Sequence, residues 1–239
     1  MKIDEYDIKA RILPGLLALI PFFILNYYLL HPILGAIWDS ILNFKIITDI
    51  TFLGAAFYLL TQVNRIISKE VFEKIKYASG LNFPTTQILL HNNNYYSPEY
   101  KKKIHGKIYS DFKIKIPTAE NEKKNEIKSR QLITEAISHI RAIIGKGSLL
   151  GQHNTEYGFM RNFTGGNLVA FTASICNMVI FNWFYPNNIA FAISCFMAII
   201  YLLLILISVQ MINTVAGNYG TILIQEYMNL DSNLQRRVR

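Results

Sequence analysis

Only two cysteines, Cys176 and Cys195, occur among the 239 residues, and both lie inside apolar runs. There a thiol behaves as a small hydrophobe, so neither a disulfide framework nor a cysteine-ligated metal site is expected. Charge is also scarce: charged residues make up 17% of the chain against 51% hydrophobic, too apolar for an average soluble domain and too charged to lie in a membrane throughout. Acidic residues are the rarer sign, 16 against 24 Lys and Arg, which leaves a net charge of +8. The recurrent catalytic spacings are missing. There is no GxxxxGK[ST] loop, no HExxH and no CxxC, and Gly158, Gly165 and Gly166 do not form a dinucleotide fingerprint. His91, His105, His139 and His153 are scattered over different elements, without the clustering a metal requires. The chain therefore reads as a non-enzyme with no cofactor. Its N-terminus mixes Lys2, Lys9 and Arg11 with Asp4, Glu5 and Asp7 and lacks a small-residue cleavage site, so the first apolar segment is expected to stay in the mature protein.

What is present is a polar, basic block between two strongly apolar regions. From Arg65 to Asn162 the chain carries 17 of its 24 Lys and Arg residues. Before it, Ile12 to Leu30 runs 19 residues without a charge, which at ~1.5 Å per residue comes close to a ~30 Å hydrocarbon core. Pro14 falls in the first turn of this helix, and Pro21 falls in the middle, where it should kink it. His31 to Lys45 is amphipathic and carries Trp38, beside the aromatics Tyr27, Tyr28 and Phe44. Ile46 to Ile66 is the second expected span, and Ile67, Val71 and Ile75 carry its helical spacing onward as a stalk. Asn167 to Phe184 and Ile189 to Val209 form a second hairpin around Tyr185-Pro186-Asn187-Asn188. Beyond it, Gln210 to Leu230 is moderately apolar, with Ala216, Gly217 and Gly220 at spacings that permit close helix contact.

Within the block, helix starts are legible at Pro84-Thr85-Thr86, Ser97-Pro98-Glu99 and Pro117-Thr118-Ala119-Glu120, and Gly80 is a natural C-cap. Ile133, Ile137, Ile140 and Ile144 recur at helical spacing, an apolar stripe that must pack on something. Gly145 to Gly151 is expected to end that helix. Lys107 to Ile116 is the one stretch with a short-strand alternative. The expected fold is an all-α membrane protein of four transmembrane helices in two hairpins, with a mainly helical cytosolic insert between helices 2 and 3. Its parts are an N-terminal hairpin (1–66), a basic regulatory domain (67–165), a C-terminal hairpin (166–211) and a tail (212–239). With both termini and the insert in the cytosol, 23 of the 24 Lys and Arg lie inside and only Lys45 outside, as the positive-inside rule requires.

Three groups of residues point to chemistry. Lys101, Lys102, Lys103 and Lys107 lie among Tyr95, Tyr96, Tyr100 and Tyr109, cations beside stackable rings that suit a phosphate-bearing ligand with bases; a solvated face is the alternative. Asn154 to Asn162 (NTEYGFMRN) precedes the third span. In it Arg161 can bind phosphate, pair with Glu156 or another acid, or anchor at headgroups, while Glu156, Tyr157 and Asn162 are placed to couple the insert to that span. Thr172, Asn177 and Asn182 lie inside the span, as pore lining or as hydrogen-bond partners of neighbouring helices. Four spans alone do not enclose a path, so a pore requires several copies, with Asp39 and Asp49 as acidic rings at the outer mouth and a cation preference.

The segments YDIKARILPGLL, FPTTQILLH, IPTAE and NTEYGFMRN, in two hairpins around an insert, resemble the four-span membrane effectors of bacterial antiphage-defence loci, in particular the channel subunits of Hailong-type systems. The resemblance implies an oligomeric channel, a tetramer, in the bacterial inner membrane. Such a channel stays shut until a nucleotide or short oligonucleotide made by a partner nucleotidyltransferase reaches the insert, and then depolarises the cell. A membrane scaffold that recruits a partner without conducting is the alternative.

Overall fold

The computed structural model describes residues 5–33, 46–144 and 148–230. Among these the chain is all-helical, without a strand. It divides into two compact units, an apolar unit (Met1–Phe72 with Gly158–Met211) and a polar unit (Glu73–Tyr157 with Ile212–Arg239). Helices are numbered in chain order: α1 Glu5–Ile33, α2 beginning at Ile46–Ile66, α3 Pro84–Gln87, α4 Pro98–Phe112, α5 Ala119–Lys124, α6 Glu126–Ile144, α7 Leu149–Phe184 and α8 Asn188–Asn229. Three of them, α1, α7 and α8, are long and apolar enough to cross a membrane. The second expected span is helical over Ile46–Ile66 but is not among the three. It continues, as its spacing predicted, through a wide π-type stretch, Ile67–Glu73, to a last turn at Lys74–Tyr77.

The apolar unit packs small residues inward and large ones outward, the arrangement expected where the surroundings are as apolar as leucine. On α1, Ala10, Pro14, Ala18 and Pro21 are buried, whereas Leu13, Leu16, Leu17, Phe22 and Phe23 are exposed. On α7 the buried line is Gly158, Asn162, Gly165, Gly166, Ala170, Ser174 and Asn177, at helical spacing. The two lines meet: a Cβ on Gly158 would come within 3.1 Å of Ala10 Cβ, and one on Gly166 within 3.2 Å of the Pro14 carbonyl oxygen. Gly15 likewise admits α2, since a Cβ there would lie 2.7 Å from Thr61 Cγ2.

Proline shapes this packing. Pro14 and Pro21 have no N–H to give the carbonyls four residues back, Ala10 and Leu17. Both carbonyls are filled from other helices: Asn162 Nδ2 donates to Ala10 O at 2.6 Å and the Tyr201 hydroxyl to Leu17 O at 2.7 Å. In an apolar medium a bare carbonyl is expensive, so these bonds offset the cost of both prolines within α1.

The polar unit has an aliphatic core of Leu89, Leu90, Ile104, Ile108, Ile133, Ile137 and Ile140, joined by Leu223 and Ile224 from the last turns of α8. Ser97 caps α4 by accepting from the Tyr100 N–H at 3.2 Å, with Pro98 first in the helix, as the sequence indicates. The strand alternative for Lys107 to Ile116 is not realised. Ile104 and Ile108 keep the chain helical to Phe112, and Lys113, at φ 60°, ends the helix. Only Lys113 to Ile116 alternates, with Ile114 and Ile116 buried and both lysines exposed, and it meets no partner strand among the described residues. The cap after α2 is Ala78, at φ 44°, and the expected Gly80, at φ 101°, closes the short turn Ala78–Gly80 that follows it. α6 ends at Ile144, directly before the stretch from Gly145 that was expected to end it; residues 145–147 lie outside the described residues, and Gly151 lies inside α7. Gly220 allows a close approach, Thr85 Cγ2 lying 2.9 Å from where its Cβ would stand.

Candidate functional site

The basic helix α4 sorts its lysines by face. Lys101 points inward and is 2% exposed. Its ammonium donates to the carbonyls of Leu90 (2.6 Å), His91 (3.4 Å) and Asn93. Glu122, equally buried, accepts the backbone N–H groups of His91 and Asn92, each at 3.0 Å. The loop thus offers its carbonyls to a cation and its amides to an anion, which pins it from both sides. Burial pushes the Lys101 ammonium below its usual value, with Glu122 opposing the shift. Lys107 turns to the end of α8, donating to Leu230 O at 2.9 Å and standing 5.2 Å from the centre of the Tyr227 ring. Lys102 and Lys103 are exposed, and on the same helix so is Tyr109, with the Lys113 ammonium 5.9 Å from its ring centre. Tyr95, Tyr96 and Tyr100 stack edge to face at 4.9 and 5.1 Å, and Thr221 donates to the Tyr95 hydroxyl at 3.2 Å. Of the four expected ligand lysines, two are therefore committed to backbone carbonyls of the chain itself and two face outward.

Arg161 belongs to the apolar unit, whereas the lysines belong to the polar one. Glu156 accepts from Gln152 Nε2 (3.2 Å) and sits 3.0 Å from His153 Nδ1, a local arrangement on α7. Tyr157 does more: its hydroxyl donates to Glu73 at 2.8 Å, and its ring lies 5.3 Å from Phe83 and 6.3 Å from Tyr219. Asn162 is spent on Ala10 O, and Asn177, 2% exposed, donates to Pro21 O at 2.8 Å. Thr172 is exposed, but its hydroxyl bonds back to Leu168 O at 2.9 Å. Asn182 is exposed beside Trp183 and Phe184. Asp39 lies outside the described residues; Asp49 lies within α2, but its side chain is not described.

Sequence reasoning missed Arg141. Its guanidinium lies 5.6 Å from the centre of Phe83 and 5.5 Å from that of Tyr219, so an exposed arginine is held over the same rings that hold Tyr157. Nothing near Arg141 in the chain signals this, because Tyr219 arrives from the far end of α8. The Lys101–Glu122 clamp was missed for the same reason.

His105 and His91 meet edge to face at 5.0 Å, with their Nε2 atoms 2.9 Å from Leu89 O and 3.0 Å from Pro117 O. No group of three metal-ligating side chains occurs among the described residues. Burial pushes His105 down to about 4 from 6.5. A folded-state value below the unfolded one means that the unfolded chain binds the proton first as pH falls. His105 should therefore contribute its full stability above pH 6.5 and lose it progressively towards pH 4, by about 3 kcal/mol in all. Melting of the purified protein at pH 7 and pH 4.5 checks this, and His105→Gln should flatten the pH dependence. An unchanged slope in that variant would remove His105 as its source.

No protein-family model, curated protein or solved structure matches the chain.

Proposed function

We propose that the chain is an oligomeric membrane channel whose polar unit receives an anionic signal, a nucleotide or short oligonucleotide, in the manner of the antiphage-defence effectors its segments resemble. On this reading α2 is a fourth span, pairing with α1 as α7 pairs with α8. Both termini and the polar unit lie in the cytosol of a bacterial cell, and several copies, four in the simplest ring, enclose the path. The charge distribution supports the orientation, since 23 of 24 Lys and Arg fall on one side of such a layout.

The observation that carries the reading is the continuity of α7 and α8. α7 runs from Leu149 in the polar unit to Phe184 in the apolar one, and α8 runs from Asn188 to Asn229 across the same division. Tyr157 and Tyr219 sit on these two helices within one ring cluster, beside Arg141. A ligand that shifts that cluster acts on both long helices at once. The outward Lys102 and Lys103 are the first contacts for the anion.

The test is direct. Lys102→Glu with Lys103→Glu should weaken binding of a short single-stranded oligonucleotide by an order of magnitude or more, and should reduce the slope of log affinity against log salt by about 1 to 1.5. Both side chains are exposed, so melting should not change. Unchanged affinity and slope would remove them from the site. Bilayer recordings with and without the oligonucleotide then decide conduction, and native mass spectrometry gives the copy number. A second reading, a scaffold that conducts nothing, is favoured by one observation: Asn177 and Thr172 spend their side chains on bonds within one copy. A stable monomer in lipid nanodiscs would exclude the ring and favour this reading.

A further inference from the structure

We infer that Arg65 and Lys69, on the outward face of α2, hold the phosphate of an anionic phospholipid at the charged edge of the apolar unit. Helix contacts place that edge. Asn162 Nδ2 donates to Ala10 O, so Arg161 on α7 and Arg11 on α1, each one residue from the bonded pair, stand at one level. A Cβ on Gly165 would lie 2.6 Å from Asn64 O, which brings Arg65 within about one helical turn of that level. Past it, α1 carries no charge from Ile12 to Leu30, α7 none from Asn162 to Phe184, and α2 none from Asn64 back to Ile50. The charges of three helices thus stop together, as they must where headgroups give way to hydrocarbon.

The cations of α1 at this edge are already answered, Lys9 by Glu5 and Arg11 by Asp7, each at 2.5 Å and one turn away. Arg65 and Lys69 are both exposed and about one turn apart, and neither forms an ion pair among the described residues. Glu70 is next in the chain, but adjacent positions on a helix do not face one another. Like charges one turn apart repel, and a phosphate that accepts from both replaces the repulsion with charge-assisted bonds. Towards the apolar side, Tyr58, Leu59 and Ile66 are 52, 64 and 55% exposed. With the two cations they share roughly a third of the helix circumference, while Asn64 and Ser68 are turned to α7. Two cations at the end of an exposed apolar strip match a phospholipid, with its phosphate at one end and an acyl chain along the other. A free phosphate would leave the strip bare, and a second copy meeting this face with its own would set the cations against each other. The inference rests on the apolar unit lying in a bilayer, as proposed above, but not on conduction.

Native mass spectrometry of the full-length protein, released from nanodiscs of phosphatidylglycerol mixed equally with phosphatidylcholine, tests it. The wild type should retain phosphatidylglycerol in preference, and Arg65→Gln with Lys69→Gln should cut that retention about tenfold or more. Melting should not change, since both side chains are exposed. Arg65→Gln alone should already lose several-fold, whereas Lys9→Gln, which removes an exposed cation held by Glu5, should lose little. Equal retention of the two lipids by the wild type, or equal losses in the two single variants, would leave only a diffuse surface charge and overturn the site. Displacement of the lipid by inorganic phosphate would identify a free-anion site, and a lower subunit count in the double variant with lipid retention intact would identify a contact between copies; either overturns the inference. Protein that does not float with vesicles at all would refute the membrane reading itself, whereas floating with no preference for phosphatidylglycerol refutes this site alone.

Discussion

Gly165→Ala is expected to lower stability by about 3 kcal/mol, near the upper end of what one added methyl group does in a packed interior. The added Cβ would overlap Ser68 Oγ and stand 2.6 Å from the Asn64 carbonyl oxygen. The hydroxyl can turn away, but the backbone oxygen cannot, so α2 and α7 must separate. That separation also disturbs Gly166 and the Asn64 amide beside it. Gly217→Ala is the control: nothing lies within 4 Å of its Cβ position, and alanine favours the helix by up to about 1 kcal/mol over glycine. Thermal melting of both variants in the same detergent reads the contrast. If Gly165→Ala melts with the wild type, the close approach of α2 to α7 is wrong.

The second large effect is a coupling. Tyr201→Phe should destabilise the apolar unit by about 1.5 kcal/mol, towards the upper end for a hydrogen bond between membrane helices, because Leu17 O has no N–H of its own to fall back on. Pro21→Ala supplies that N–H. In the Pro21→Ala background, therefore, Tyr201→Phe should have little effect, and the double-mutant cycle isolates the bond from the ring's packing, since both tyrosine and phenylalanine keep the ring. Additive single effects would mean that the hydroxyl does not serve the proline. The same logic ties Asn162 to Pro14 through Ala10 O.

This pairing changes the meaning of residues that a sequence reading groups by composition. Asn162 and Asn177 stand out in an apolar run, and polarity alone assigns them to coupling or to a pore. Packing gives each a carbonyl on α1, at Ala10 and Pro21. Lys101, Lys102 and Lys103 are three consecutive cations in the sequence, yet the helix turns the first inward to cap a loop and leaves the other two outside. The difference is ~100° of rotation per residue, which periodicity predicts only once the buried face of α4 is known.

By itself the sequence determined the apolar lengths, the basic block between them, the cap at Ser97, the isoleucine stripe of α6 and the turn before α8, because each depends on neighbours within a few residues. The loss of the strand alternative at Lys107 to Ile116 was decided by tertiary packing, which buries Ile104 and Ile108 on one face of a helix. So were the partners of the prolines, the Lys101–Glu122 clamp and the seat of Arg141. For the prolines, the clamp and Arg141 the deciding group comes from another part of the chain, and only the folded packing brings it into contact.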